Sequence, residues 1–208
     1  VEFVLLKGGP LLQSYQRIAP CSVLSEPLAD SALSALLRLH DKGHRRAIAN
    51  TTVSGKVVAE IKRAGMQLVT LVHELPGIIQ DYGLLAEAKA IMEESDFVVF
   101  PAPLVRDRFL ALTGASEERC GIRPQGLYRT EITADPSARA RVRDELRLPA
   151  EARIVLNVGY ADRRKGFDLF VRAAEMLSLR RPDIYFVWIG AVAPDMTDWV
   201  PAADPQLA

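Results

Sequence analysis

The segment Gly159-Tyr160-Ala161-Asp162-Arg163-Arg164-Lys165-Gly166 carries three consecutive cations between two glycines. It follows the apolar run Ile154 to Val158 and precedes a stretch of helical spacing that opens near Lys165. A loop in that position suits a diphosphate. Unpaired backbone N–H groups and the positive end of a helix supply part of the field, and Arg164 and Lys165 supply the rest. No Gly-Lys-Ser/Thr follows, so this is not a Walker A loop, and no GxGxxG marks a dinucleotide fingerprint. The plainer alternative is a tight turn with solvated basic residues.

The second candidate is His73, in His73-Glu74-Leu75-Pro76-Gly77 after the run Gln67 to Val72. At the carboxyl end of a parallel strand such a residue faces the ligand crevice, and an imidazole there donates or accepts hydrogen bonds near neutral pH. The alternative is a histidine bonded to a neighbouring loop. His40 and His44 stand four apart at a helix end, but no third ligand accompanies them, so no metal is expected. Lys7-Gly8-Gly9-Pro10-Leu11 reads first as a turn.

The elements that must position these residues alternate. Short apolar, β-branched runs fall at Glu2 to Leu6, Cys21 to Leu24, Ala47 to Asn50, Gln67 to Val72, Phe97 to Phe100, Arg119 to Ile122, Ile154 to Val158 and Tyr185 to Ile189. Several are continuous, as parallel strands buried on both faces are. Between them, helical faces are predicted on Leu33, Leu36, Leu37 and His40, on Leu84, Ala88, Ile91 and Met92, on Val105, Phe109 and Leu112, and on Phe167, Phe170, Val171, Ala174 and Leu177. The fold class is α/β with open, doubly wound, Rossmann-like parallel sheets whose ligands lie at strand-to-helix loops. The rhythm breaks between Arg123 and Ala152, where Pro124, Gly126, Pro136 and Pro149 flank an Arg-rich helical piece, Ser137 to Leu146. The division is therefore a first domain over 1–128, a linker over 129–150, and the start of a second domain over 151–208. Asp144 and Glu145 interleave with the arginines of the linker, which reads as a solvated helix face.

Composition narrows the function classes. Twenty-six basic residues balance 26 acidic ones in 208 residues, so a generalised polyanion binder is excluded and any phosphate site must be local. Hydrophobic residues make up 49%, enough for a packed core, which excludes a disordered chain. Cys21 and Cys120 lack any framework spacing and read as free, mostly buried thiols in a reducing, cytoplasmic compartment. No run reaches the roughly 20 apolar residues that span a bilayer, so membrane contact is at most peripheral.

Taken in order, Val72-His73-Glu74-Leu75-Pro76, Pro124-Gln125-Gly126-Leu127-Tyr128, Val158-Gly159 with Arg164-Lys165-Gly166-Phe167-Asp168-Leu169, and Val187-Trp188-Ile189-Gly190 resemble the retaining, nucleotide-sugar-dependent glycosyltransferases of family 4. The resemblance covers most of the chain. It implies the GT-B fold, two Rossmann-like domains of which the first is the acceptor side and the second binds the donor. It also implies transfer of a sugar from a nucleoside diphosphate to a saccharide or glycolipid hydroxyl with retention, in polysaccharide or cell-envelope biosynthesis. No cofactor is implied beyond the nucleotide-sugar substrate, and no nucleic-acid partner.

Residue by residue, His73 matches the catalytic histidine beside the donor sugar. Arg164 and Lys165 match the basic pair on the donor diphosphate, and Gly159 the glycine that closes the first strand of the second domain. Tyr160 departs from the arginine that many members place there, and Arg164 is expected to supply that charge. The chain starts at Val1, inside an apolar run. Against the family it enters at the second strand, and no counterpart of a later pair of glutamates follows Gly190. The resemblance thus implies a portion of an enzyme truncated at both ends, inactive by itself, whose intact form touches the inner face of the membrane peripherally. A non-catalytic nucleotide-binding or interaction module with a Rossmann-like fold is the alternative. A dehydrogenase or epimerase with a dinucleotide suffers from the absent GxGxxG.

Overall fold

The computed structural model describes residues 1–126 and 135–199. Along the chain the elements are β1 (Phe3–Leu5), α1 (Leu12–Gln16), β2 (Cys21–Val23), α2 (Leu28–Asp41), β3 (Arg46–Asn50), a 3-10 turn (Thr52–Val57), α3 (Val58–Arg63) and β4 (Gln67–Leu71). They continue with α4 (Pro76–Asp81), α5 (Leu85–Glu94), β5 (Phe97–Phe100), α6 (Pro103–Thr113), β6 (Cys120–Ile122), α7 (Ala138–Glu145), β7 (Arg153–Val158), a 3-10 turn (Arg163–Lys165), α8 (Phe167–Ser178) and β8 (Ile184–Ile189). All eight predicted strands form, and no end differs from its predicted place by more than one residue. The chain divides into two compact units, Val1–Tyr128 and Arg129–Ala208. Leu127, Tyr128 and positions 129–134 of the expected linker lie outside the described residues, and the rest of that linker contains α7, which buries no residue.

In the first unit, β3, β4, β5 and β6 form one parallel sheet in that order, while β1 and β2 pair in a separate parallel sheet. Residues of both sheets pack on one core, in which Val4 and Leu6 join Leu24, Leu68, Val98 and Phe100. The interior strands β4 and β5 fall short of burial on both faces: on one face Val69, Leu71 and Val99 are only half-buried and Phe97 is 40% exposed, and the other face alone is fully covered. Leu68, Thr70, Val98 and Phe100 are almost wholly buried, and Phe100 meets Phe109 of α6 at 5.4 Å between ring centroids. Each of the apolar side chains among these contributes about 1.5–3 kcal/mol through burial. The same face is most open on β3, where Ile48, opposite Val69, is 74% exposed.

Helix α2 also corrects the sequence reading. Its buried residues are Ala32, Ala35, Leu36 and Leu39, and Leu37 is exposed. The positions 32, 35, 36 and 39 follow the i, i+3, i+4, i+7 spacing of one face, and the two alanines let the helix lie close to the core. A reading weighted to leucine turns the helix slightly away from its true contact face. Helix α5 buries Ala88, Ile91 and Met92, as predicted. Cys21 and Cys120 are free and only partly buried, short of the burial expected for them.

The second unit pairs β7 with β8 in parallel over six positions, from Arg153 opposite Ile184 to Val158 opposite Ile189. Its core holds Ala161, Phe167, Val171, Ala193 and Met196, with Trp188 packed on it. The Trp188 ring meets Phe167 at 5.0 Å and Phe170 at 5.3 Å, both edge-on. Leu177, predicted on the inner face of α8, is exposed, as is Leu156 on β7. Among the described residues, no helix is long and apolar enough to cross a membrane.

Candidate functional site

In the first unit three strand ends deliver polar side chains to one place. Parallel pairing sets Asn50 opposite Leu71 and Phe100 opposite Ile122, so the segments leaving β3, β4 and β6 emerge on the same side of the sheet. His73 follows β4 and is half-buried. Its Nε2 lies 3.0 Å from Asn50 Oδ1 and its Nδ1 lies 3.1 Å from Gln125 Nε2. With the Gln125 amide donating to Nδ1, the ring is held as the tautomer whose Nε2–H donates to Asn50. Both ring nitrogens are therefore engaged. A ligand hydroxyl that reached this imidazole would take the place of one amide.

The next residue, Glu74, turns its carboxylate toward the buried Thr52. Its Oε2 accepts from Thr52 N at 3.2 Å, from Thr52 Oγ1 at 2.9 Å and from His73 N at 3.1 Å. Between Asn50 and Thr52 the backbone is unusual: Thr51 has φ 72° and ψ 161°. That region is populated almost only by glycine.

In the second unit the loop after β7 is built around Asp162. Its Oδ1 accepts from Lys165 N at 2.8 Å, capping the 3-10 turn Arg163–Lys165, and its Oδ2 lies 3.5 Å from Arg164 Nη2. Gly166 then takes φ +73° and opens α8. The Arg163 and Lys165 side chains are exposed and pair with none of the described residues. The floor of the loop is fixed by the Trp188 indole, whose Nε1–H donates to Gly159 O at 2.8 Å. The strand ends also come into close contact at two glycines. A Cβ on Gly190 would stand 1.9 Å from Gly159 O, and Gly190 has φ +146°. Only glycine fits there.

The arrangement leaves two exposed cations and a third in a weak surface ion pair on a rigid turn at a strand's carboxyl end, where an anion can displace solvent. Sequence reasoning singled out His73, Gly159, Arg164 and Lys165 as candidates but missed their partners. Asn50, Gln125 and Glu74 belong to three different strand ends, and no local spacing links them. Asp162 did carry a signal, since an Asp three residues before the turn's last residue is a capping pattern. His40 and His44 join no cluster: among the described residues no group of three His, Cys, Asp or Glu could hold a metal. The turn Lys7 to Leu11 lines a shallow apolar depression with Leu5, Leu12 and Tyr15.

No family model matches the chain, and no curated protein matches it. Solved structures do. HepE of Anabaena in complex with UDP-glucose superposes with a TM-score of 0.77 at 18% identity, over 96% of this chain and 55% of that one. A glycosyltransferase from Rickettsia africae gives 0.60 at 12% identity, over 94% and 60%. The fold is thus α/β with parallel sheets, and it matches roughly half of a GT-B glycosyltransferase chain. A Listeria monocytogenes protein assigned as a UDP-N-acetylglucosamine 2-epimerase gives 0.58 at 11% identity, over 96% and 56%, so the fold alone does not separate transfer from epimerisation. The chain spans about half the length of the HepE structure.

Proposed function

We propose that this chain belongs to a retaining glycosyltransferase of the family 4 type, with its first unit on the acceptor side and its second on the donor side. It would move a sugar from a nucleoside diphosphate to a saccharide or glycolipid hydroxyl in polysaccharide or cell-envelope biosynthesis. The observation that carries the reading is the capped turn after β7, with Arg163 and Lys165 unpaired among the described residues and Arg164 held at 3.5 Å by Asp162. HepE was solved with UDP and with UDP-glucose, which supports the same donor class here. In this reading Arg164 and Lys165 hold the diphosphate, with Gly159 allowing its close approach. They stabilise the charge that develops as the diphosphate departs, without a metal. His73 acts beside the donor sugar, its ring oriented by Asn50 and Gln125. The two free thiols support a reducing, cytoplasmic compartment.

The test uses the protein expressed from its entire reading frame. Incubated with labelled nucleotide-sugars and a saccharide or lipid acceptor extract, it is expected to release nucleoside diphosphate and to label the acceptor with retained configuration. Nucleotide binding without turnover would support the non-catalytic module instead. Conversion of the donor sugar without transfer would support an epimerase, the reading that the Listeria likeness keeps open.

A further inference from the structure

We infer that Glu74 is a positioning residue that holds the His73 imidazole in one orientation and one tautomer by tying the exit of β3 to the exit of β4. One carboxylate oxygen takes three donors, two from Thr52 and one from the His73 backbone. Thr52 is fully buried, so removal of the carboxylate strands an N–H and a hydroxyl away from water. The residue between Thr52 and Asn50 is Thr51, whose backbone is strained at φ 72° and ψ 161° and persists there only while its neighbours over-determine it.

The determinants lie on two sides. On one, the 3-10 turn is wedged against α5: a Cβ on Gly55 would stand 2.4 Å from Glu87 O, so the backbones are in close contact. On the other, the Glu74 carboxylate holds Thr52, and Thr51 N donates to Leu71 O at 2.8 Å. The Ser54 hydroxyl donates to the Asn50 carbonyl, closing the turn on itself. Asn50 stands one residue before the strained position, and its amide contacts His73 Nε2. Relaxation of Thr51 therefore moves the amide that orients the ring, and loss of the bond to His73 N frees the root of the same side chain. Both paths start at one oxygen of Glu74.

That the oriented ring acts on a donor sugar rests on the proposed transferase reading; the positioning does not, and it is read on the ring itself. The chain has 3 histidines, so their imidazole nitrogens are resolvable by ¹⁵N NMR, with His73→Gln assigning the signal. The unaltered protein is expected to show His73 as a single Nε2–H tautomer. In Glu74→Ala its nitrogen shifts move toward the average of two tautomers while His40 and His44 keep their native shifts, which certifies the fold. Glu74→Gln, whose amide oxygen still accepts from Thr52, restores the single tautomer in large part. If Glu74→Ala does not fold, Thr52→Val carries the test, since it removes the hydroxyl donor at equal volume and is expected to shift His73 the same way. In a turnover assay Glu74→Ala should lower kcat roughly tenfold or more with KM little changed, as misplacement of a reacting group does. A His73 signal unchanged in Glu74→Ala, or in Thr52→Val where the alanine variant is unfolded, overturns the positioning role even if the protein transfers sugar. A shifted signal in a protein without turnover upholds the role and removes the transferase.

Discussion

The strand-end cluster around His73 and the turn around Lys165 handle polar groups in opposite ways. At His73 each ring nitrogen and the inward oxygen of Glu74 is already bonded within the protein, and a threonine is held in a glycine-like conformation nearby. At Lys165 the backbone is capped and pinned, but the cations are exposed, and the Arg164–Asp162 ion pair is long. The first pattern fixes the geometry of a few atoms at a cost in strain. The second fixes only the platform and leaves the field to be satisfied from outside. Under the proposed function, the group to be aimed is bonded internally, whereas the groups that would neutralise a ligand are not.

That contrast can be broken at either end, and the largest effect belongs to the aimed group. His73→Ala should lower kcat by about 10²-fold or more, the range of a positioned acid, base or polarising group, while affinity for a nucleoside diphosphate stays within about twofold. Steady-state rates and calorimetry separate the two quantities. A variant with native kcat and a lower melting temperature makes His73 structural.

Gly190→Ala attacks the platform. The added methyl meets Gly159 O at 1.9 Å, so the ends of β7 and β8 must separate. The expected loss is about 2–4 kcal/mol, the scale of forced backbone strain and overpacking. Both tryptophans of the chain lie in the second unit, so their fluorescence reports the transition at lower denaturant. An unshifted midpoint would mean that the two glycines are not in contact.

The smallest effect sharpens the comparison by using a carboxylate outside both sites, whose part is in stability. Asp96 accepts from Lys62 Nζ at 2.7 Å and from Leu68 N at 2.6 Å. The Lys62 ammonium, and then the Leu68 N–H, hold its carboxyl below the ordinary value of 3.8. A depressed folded value contributes stability that is present above pH 3.8 and is lost as the pH falls through the folded value. Asp96→Asn should therefore melt slightly below the parent at neutral pH, with the gap closing in acid. The carboxylate is about half exposed, so the effect is kept small by solvent. A gap that persists unchanged into acid would assign the loss to packing instead of charge.

Much of this architecture was legible in the chain because apolar, β-branched runs such as Phe97 to Phe100 have few other uses in a soluble fold. The contact face of α2 was less so, since alanine at 32 and 35 signals weakly although small residues make the closest contact. Separation of β1 and β2 from β3 to β6 leaves no mark in the runs themselves, because a strand's own residues do not say which strand it pairs with. At the site, the candidate residues were visible by type and place, but their partners were not. Asn50 and Gln125 lie 23 and 52 residues from His73, joined only by strand order. The strain at Thr51 is invisible for a stronger reason: threonine is among the residues least expected at positive φ.

The central claim is that the turn after β7 is a diphosphate site. Its most direct test is calorimetric titration with a nucleoside diphosphate of the parent protein and of Arg164→Ala/Lys165→Ala. If the cations hold two phosphates, affinity falls by about 30-fold or more, or at least ~2 kcal/mol, because charge-assisted hydrogen bonds contribute roughly 1.5–3 kcal/mol each. Binding of equal strength in the parent and the double variant would contradict it and reduce the loop to a capped turn.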